Sequence, residues 1–406
     1  MKLLFITPIK VDYPPKDGAS IATFYRIFYL KKYFDTECDI ITSGDDISKN
    51  NLEKSNIFRK VYVYEKKDIL YSNVKSFFSI YIFSMIRNSL SMKDIENILK
   101  NFNFNEYNCI NFEHSYSYYI YKQLSKYVDL NKYKKAFWAH NVDYLYFYNL
   151  YKESKSIKEK FINFLNYIKL KFIEPNYLRS FDNIFTLAYH DNIKLKTLLK
   201  QNNIYWIPVN VANPEPSDKL EKDIIKLKHQ TKHCKYKILF TGKLNHISNI
   251  QAVLWFHDKV FPLIKQALGN VCFIIVGFEP NSTILNLVND RDILLYKNVD
   301  SVSTFFYLSD LFVIPLFNDA GIKIKLIEAI KHNIKIVARP EALIGANLID
   351  TIPNAKSEKD FANLCIKALK NEIDYKPILE KARQYFDDKK NLRLFLSICQ
   401  DSKLKY

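Results

Sequence analysis

The segment from Leu311 to Ile330 constrains the chain more than any other. Leu311-Phe-Val-Ile314 is an unbroken apolar run of the kind that forms a strand buried on both faces of a parallel sheet. Pro315 cannot donate to a ladder and ends it. A short polar loop, Asn318-Asp-Ala320, leads to Gly321, after which Ile322, Leu326, Ala329 and Ile330 fall at helical spacing. That spacing puts Lys325 and Glu328 on one helix face. A strand, a tight glycine turn and a helix start make an anion site, because the first N–H groups of a helix are unpaired and its dipole favours negative charge. Gly321 lets the backbone come close to a phosphate. Lys323 and Lys325 add charge, and Glu328 can accept from a sugar hydroxyl. An ordinary strand–loop–helix with solvated lysines accounts equally well for the spacing alone.

The same pattern recurs along the chain. Leu3–Ile6, Asp39–Thr42, Val61–Tyr64, Cys109–Phe112, Lys135–Ala139, Asn183–Leu187, Tyr236–Phe240, Cys272–Val276, Ile293–Tyr296 and Ile334–Ala338 read as short buried strands, with helical stretches between many of them. This is an α/β chain with parallel sheets. Thr7–Ser20 is a Pro- and Asp-rich loop before a helix beginning near Ile21. Cys109–Phe112 delivers Glu113 and His114, and Lys135–Ala139 delivers His140-Asn-Val-Asp143. A lone His is more often structural than catalytic. Two strand ends that each bring a His to the same edge of a parallel sheet are harder to dismiss.

With 406 residues the chain can fill two domain cores. Glycine is scarce, with seven residues where average usage would give roughly 28, so each one invites a question. Gly18, Gly242, Gly277 and Gly321 all stand at or just after a predicted strand end, where α/β folds bind ligands. The net charge of +17 favours anionic partners, although abundant Lys, Asn, Ile and Tyr also fit an AT-rich genome. The cysteines, Cys38, Cys109, Cys234, Cys272, Cys365 and Cys399, are dispersed without metal spacing and read as reduced residues of an intracellular protein. The start of the chain does not read as a signal peptide, and no apolar run reaches the roughly 18 residues of a membrane span. Tyr71–Met85 comes nearest. Residues 66–100 read as an aromatic helix (Phe77, Phe78, Tyr81, Ile82, Phe83, Ile86, Leu90), most simply a core element. Tyr151–Phe172 reads as a basic aromatic helix, suited either to an anionic membrane surface or to a solvated face over a core stripe. Walker, HExxH and GxSxG motifs are absent.

The run GIKIKLIEA after a Pro-Leu strand end resembles the donor-nucleotide motif of bacterial group 1 (family 4) glycosyltransferases, which have the two-domain glycosyltransferase-B fold. The resemblance is strong over 236–345 and looser over 1–210. It implies two Rossmann-like α/β/α domains facing across a cleft: 1–212 on the acceptor side, 213–385 binding the nucleotide sugar, and a helix in 386–406 crossing back to the first. By the same resemblance Glu328 binds the ribose, while Lys325 and the Gly321–Ile322 turn, with Lys323, meet the diphosphate. Thr241-Gly-Lys-Leu244 resembles the family's Gly-x-Leu loop and gives Lys243 a diphosphate role beside Gly242. A second lysine that the family often carries is replaced by Asn245-His-Ile-Ser-Asn249. His140-Asn141 resembles a segment whose His sits near the donor sugar. Gly18, Ser20, His114 and Gly277 are lesser contacts. The family often has a glutamate eight residues before its ribose glutamate, touching the sugar; here Ala320 stands there, with Asp319 beside it.

The implied reaction is retaining transfer of a hexosyl group from a UDP- or GDP-linked sugar to a glycan or lipid-linked saccharide in surface polysaccharide synthesis, at the cytoplasmic side of a membrane with peripheral contact. It implies no cofactor and no metal, since lysines and helix termini neutralise the diphosphate. A nucleotide-sugar epimerase on the same fold, drawing on Glu113, His114 and Asp319, remains an alternative, as does a non-catalytic binding subunit. Nucleic-acid binding is suggested by charge alone and is not the expected partnership.

Overall fold

The computed structural model describes every residue except 16, 68–81, 155, 217–219, 300 and 401–406. The chain divides into two compact units, Met1–Asn210 with Asp388–Tyr406, and Val211–Asp387.

The first unit holds a parallel sheet of β1 (Lys2–Thr7), β2 (Glu37–Ser43), β3 (Lys60–Tyr64), β4 (Cys109–Glu113), β5 (Lys135–Ala139), β6 (Asn183–Thr186) and β7 (Ile204–Trp206). Their spatial order is β3-β2-β1-β4-β5-β6-β7. Leu3, Leu4, Phe5 and Ile6 on β1 are all fully buried, so both faces of the strand are covered. That is why apolar residues run on here instead of alternating. The helix Gly18–Phe34 packs against the helix Asp388–Gln400, which lies in this unit although its residues come last. Phe395 of that helix meets Trp138 of β5 at 5.1 Å between ring centres.

The second unit holds β8 (Tyr236–Lys243), β9 (Val271–Phe278), β10 (Ile293–Lys297), β11 (Leu311–Ile314) and β12 (Ile336–Ala338), ordered β10-β9-β8-β11-β12 and all parallel. Chain direction through each sheet reverses at one place, between β1 and β4 in the first and between β8 and β11 in the second. Open α/β sheets bind ligands outside the carboxyl ends of strands at such points.

Several sequence boundaries move. The first helix begins at Gly18, not near Ile21, because Asp17 accepts from the N–H groups of Ala19 and Ser20 and caps it there. The stretch expected as one helix over Tyr151–Phe172 is two, Asp143–Glu153 and Ile157–Leu178, and the second runs through Pro175. β8 and β9 continue past the expected ends to Lys243 and Phe278, pairing Gly242 with Gly277. Cys234 and Cys272 are joined in a disulfide, so the reading of all cysteines as reduced does not hold. Adjacent strands bring them together, a proximity their separation of 38 residues does not announce. Much of the aromatic stretch 66–100, and of Tyr71–Met85, lies outside the described residues. Among those described, no helix is long and apolar enough to cross a membrane.

Candidate functional site

In the second unit, the loops after β8 and β11 flank the β8/β11 reversal. Gly321 adopts φ +60°, a conformation that glycine takes without a Cβ clash. Its carbonyl lies so close to Gly345 that a Cβ there would meet it at 2.2 Å. The helix then starts at Ile324 and brings Lys325 and Glu328 onto one side. Lys325 Nζ donates to Asn249 Oδ1 at 2.9 Å and sits 4.1 Å from the Phe240 ring centre. Asn249 in turn donates to the Lys243 carbonyl at 2.9 Å, which ties the β8 loop to the helix. A Cβ on Gly242 would meet Lys325 Nζ at 2.7 Å, so the glycine leaves room for the ammonium group. Gly277 has a different task. A Cβ there would lie 1.8 Å from the Gly242 carbonyl, so it permits the strand contact and is not itself turned to a ligand.

Burial pushes Lys325 down to about 7 despite the attraction of Glu328, and pushes Glu328 up to about 7 despite Lys325 and Lys331. Both groups are thus held where a change of charge is easy. Lys243 is more exposed and pairs with Glu279 at 3.4 Å. Lys323 is turned into its own loop, donating to Asn318 Oδ1 at 2.7 Å and to the Ala320 carbonyl at 2.6 Å. Asn318 reaches Ser248 at 2.6 Å. Asp319, Ala320 and Ile322 are partly buried in the same loop. An Asp-x-Asp triplet, Asp290–Asp292, stands before β10 at the amino ends of the strands, opposite these loops.

In the first unit, β4 and β5 carry a second cluster beside the β1/β4 reversal. Glu113 is fully buried and Arg26 nearly so, and Arg26 Nη1 donates to Glu113 Oε1 at 2.5 Å. Thr23 donates to the other carboxylate oxygen, which also lies 3.4 Å from His140 Nε2. The Arg26 guanidinium stacks 3.5 Å from the Trp138 ring centre. His114 and His140 stack with ring centres 3.5 Å apart, and His114 holds φ +59°. Burial would raise the Glu113 carboxyl, but Arg26, His140 and Thr23 keep it below its usual range. Burial lowers both histidines, His114 further because His140 and Arg26 also face it. The imidazoles are neutral hydrogen-bonding groups at neutral pH.

The turn His140–Asp143 is set from elsewhere. Glu174 accepts from the N–H groups of Asp143 and Tyr144, both at 2.9 Å, capping a helix whose own N-cap, Val142, offers no side-chain acceptor. Asn141 is partly buried in this turn. Ser20 is fully buried and its hydroxyl accepts from Asp12 N–H at 2.9 Å, while Gly18 is exposed at the helix start. The structure therefore joins Gly242, Lys325 and Glu328 with the Gly321 turn, and joins His114 with His140. It gives Ser20, Gly277 and Lys323 internal tasks. Sequence reasoning missed Arg26, Thr23, Asn249 and Glu174. Asn249 alone left a trace, standing in the segment that replaced an expected lysine.

Residues 235–371 match the family model described as glycosyl transferases group 1. This part of the chain is a group 1 glycosyltransferase domain. A protein of Klebsiella pneumoniae described as an uncharacterized 44.6 kDa protein in the cps region is 22% identical over 99% of this chain and 100% of its own length. Anabaena HepE, solved with UDP, is 14% identical with a TM-score of 0.65, covering 98% of this chain and 99% of HepE. TarM is 12% identical with a TM-score of 0.63, covering 99% of each. The likenesses to these solved structures show that the chain has the glycosyltransferase-B fold of two Rossmann-like units.

Proposed function

We propose that this glycosyltransferase moves a hexosyl group from a UDP- or GDP-linked sugar to a glycan or lipid-linked saccharide, with retention at the anomeric carbon. The product would enter a surface polysaccharide, capsule or lipopolysaccharide. The observation that carries the reading is the Lys325 ammonium lodged between Gly242, Asn249 and Phe240 with Glu328 on the same helix face. HepE was solved with UDP and with UDP-glucose, and the Klebsiella relative's description places it in a cps region.

Glu328 accepts from the ribose hydroxyls. Lys325, Lys243 and the N–H groups after Gly321 take the diphosphate. The bond from the anomeric carbon to the phosphate oxygen breaks, and its electron pair leaves with the diphosphate. The acceptor oxygen bonds the carbon and gives up its proton to the departing phosphate oxygen. Fixed positive charge at the departing phosphate accelerates this step because it needs no reorganisation as charge develops. The lysines supply that charge without a metal ion. His140, neutral and held by Glu113, is assigned to the donor sugar or the leaving phosphate. The helix Ile157–Leu178, with Ile157 88% and Phe172 70% exposed among lysines, is assigned to peripheral contact with the cytoplasmic face of an anionic membrane.

The test is a thermal-shift and hydrolysis screen of the purified chain with UDP- and GDP-sugars in EDTA. A stabilising donor with slow sugar release is expected, since ligand binding to the native state raises its stability by mass action. Interconversion of the free donor sugar would instead identify an epimerase. Loss of all binding in EDTA would overturn the metal-free assignment.

A further inference from the structure

At the amino ends of β8 and β9, on the sheet edge opposite the donor loops, three potential metal ligands converge. His233 Nε2 lies 3.5 Å from Cys234 Sγ and 3.4 Å from Cys272 Sγ. Ligand atoms around a tetrahedral Zn²⁺, with bonds of roughly 2.0 Å to nitrogen and 2.3 Å to sulfur, lie about 3.5 Å apart, so the imidazole already stands at a ligand's distance from both sulfurs. Asp292 comes from a third segment, the one before β10, with Oδ1 3.7 Å from His233 Nε2. Its other oxygen is held by Lys265 at 2.6 Å, and Arg291 Nε lies 3.6 Å from Oδ1. Both cysteines are buried while His233 is on the surface, which leaves an approach from solvent along the imidazole. Cys109 and Cys399 are also neighbours, but among the described residues no histidine joins them in a ligand cluster.

We propose that Cys234, Cys272 and His233 form a redox-gated site for a thiophilic divalent cation of the zinc class, closed by the disulfide and opened by reduction. In opening, a small thiol attacks one sulfur as its thiolate and the S–S bond breaks to a mixed disulfide. A second equivalent resolves it. The protein gains two electrons and two protons as two thiols, and the reductant leaves as its own disulfide. Metal entry then displaces the two thiol protons, giving two thiolates and neutral His233 Nε2 as ligands, with Asp292 or water for the fourth position. The site takes no part in sugar transfer. It fixes the starts of β8 and β9, whose far ends carry Gly242 and Gly277.

Two measurements on the full chain test this. In the first, oxidised and phosphine-reduced protein are titrated with Co²⁺ as a probe for zinc, reading the thiolate-to-cobalt absorption band. One equivalent should bind the reduced chain and none the oxidised. Cys234→Ser with Cys272→Ser should abolish the band, and His233→Ala should weaken binding at least tenfold. In the second, reduced wild-type chain is alkylated with N-ethylmaleimide under native conditions, with and without Zn²⁺, and the sites are mapped by mass spectrometry. Zinc should slow modification of Cys234 and Cys272 at least tenfold, a readout that needs no variant to fold. A reduced chain with no thiolate band, equal binding by the double serine variant, or unprotected cysteines would each overturn the proposal.

Discussion

The two charged clusters of this protein invite comparison. In the first unit, Arg26 and Glu113 are buried against each other, Thr23 and His140 meet the carboxylate and Trp138 the guanidinium face, while Arg26 Nη2 is left without a hydrogen-bond partner among the described residues. In the second, Lys325 is held by one neutral amide and one aromatic face, and Glu328 by no hydrogen bond to its carboxylate among the described residues. The first cluster pairs its two charges within the protein. The second leaves an ammonium and a carboxyl group poised near neutrality, and an incoming anion can complete it. In the proposed function the second cluster would receive the donor diphosphate while the Arg26–Glu113 pair would hold His140 in place, and the difference lies in what surrounds each charge.

The largest effect should come from breaking the closed cluster. Arg26→Met leaves Glu113 buried without its partner and should cost about 3–5 kcal/mol of stability, read from urea unfolding. An unchanged midpoint would remove the contrast between the units. Lys325→Ala should do the opposite. Turnover should fall about 10²–10³-fold, while thermal stability holds or rises because a costly buried charge has gone. A mutant that unfolds but keeps its turnover would make Lys325 a scaffold too.

Acid titration should move Glu328 and the first cluster in opposite directions. His114 and His140 have folded values below their ordinary 6.5, so the unfolded chain binds more protons below that pH and their contribution rises with pH there. Glu113 adds the same sign, its contribution being lost as pH falls through its lowered folded value. Glu328, raised from 4.5 to about 7, binds its proton more tightly in the folded chain, so its contribution falls as pH rises between those values. Lys325, lowered from 10.5 to about 7, then contributes a rise across that upper range. Unfolding of Glu328→Gln measured from pH 5 to 7 should lack the opposing component and show a steeper rise than wild type. A superimposable profile would discard the Glu328 assignment.

A smaller loss, about 1–2 kcal/mol, is expected for Glu174→Ala, which uncaps the Asp143–Glu153 helix. It should reach function only through the His140 turn, seen as altered His140 chemical shifts. The smallest stability change, within about 1 kcal/mol, belongs to Lys243→Ala, whose surface pair with Glu279 is worth little. Its effect should appear in donor KM instead.

What the sequence made legible follows from locality. The Leu311–Ile330 strand, turn and helix lie within one short stretch, and their apolar spacing and single glycine sufficed to place Lys325 and Glu328 together. Arg26 and Glu113 are 87 residues apart, and nothing in either neighbourhood marks the other. The ends of β8 and β9 were read short because glycine usually signals a turn. Here Gly242 and Gly277 face each other across a strand pair, where the missing Cβ lets the two backbones come close enough to stay paired. The basic helix was read as ending at Phe172, yet tertiary packing of Leu170, Ile173, Tyr177 and Leu178 carries it on through Pro175 to Leu178.

The helix Asp388–Gln400 has a consequence for how this protein is made. Phe395 covers Trp138 in a core whose other members leave the ribosome far earlier. At roughly 5–20 residues per second, the intervening second unit takes on the order of ten seconds or more to synthesise. Through that interval the first unit waits with one aromatic face uncovered, while the later-made unit already has all of its own strands. Of the two units, the one whose strands are translated earlier is therefore completed later.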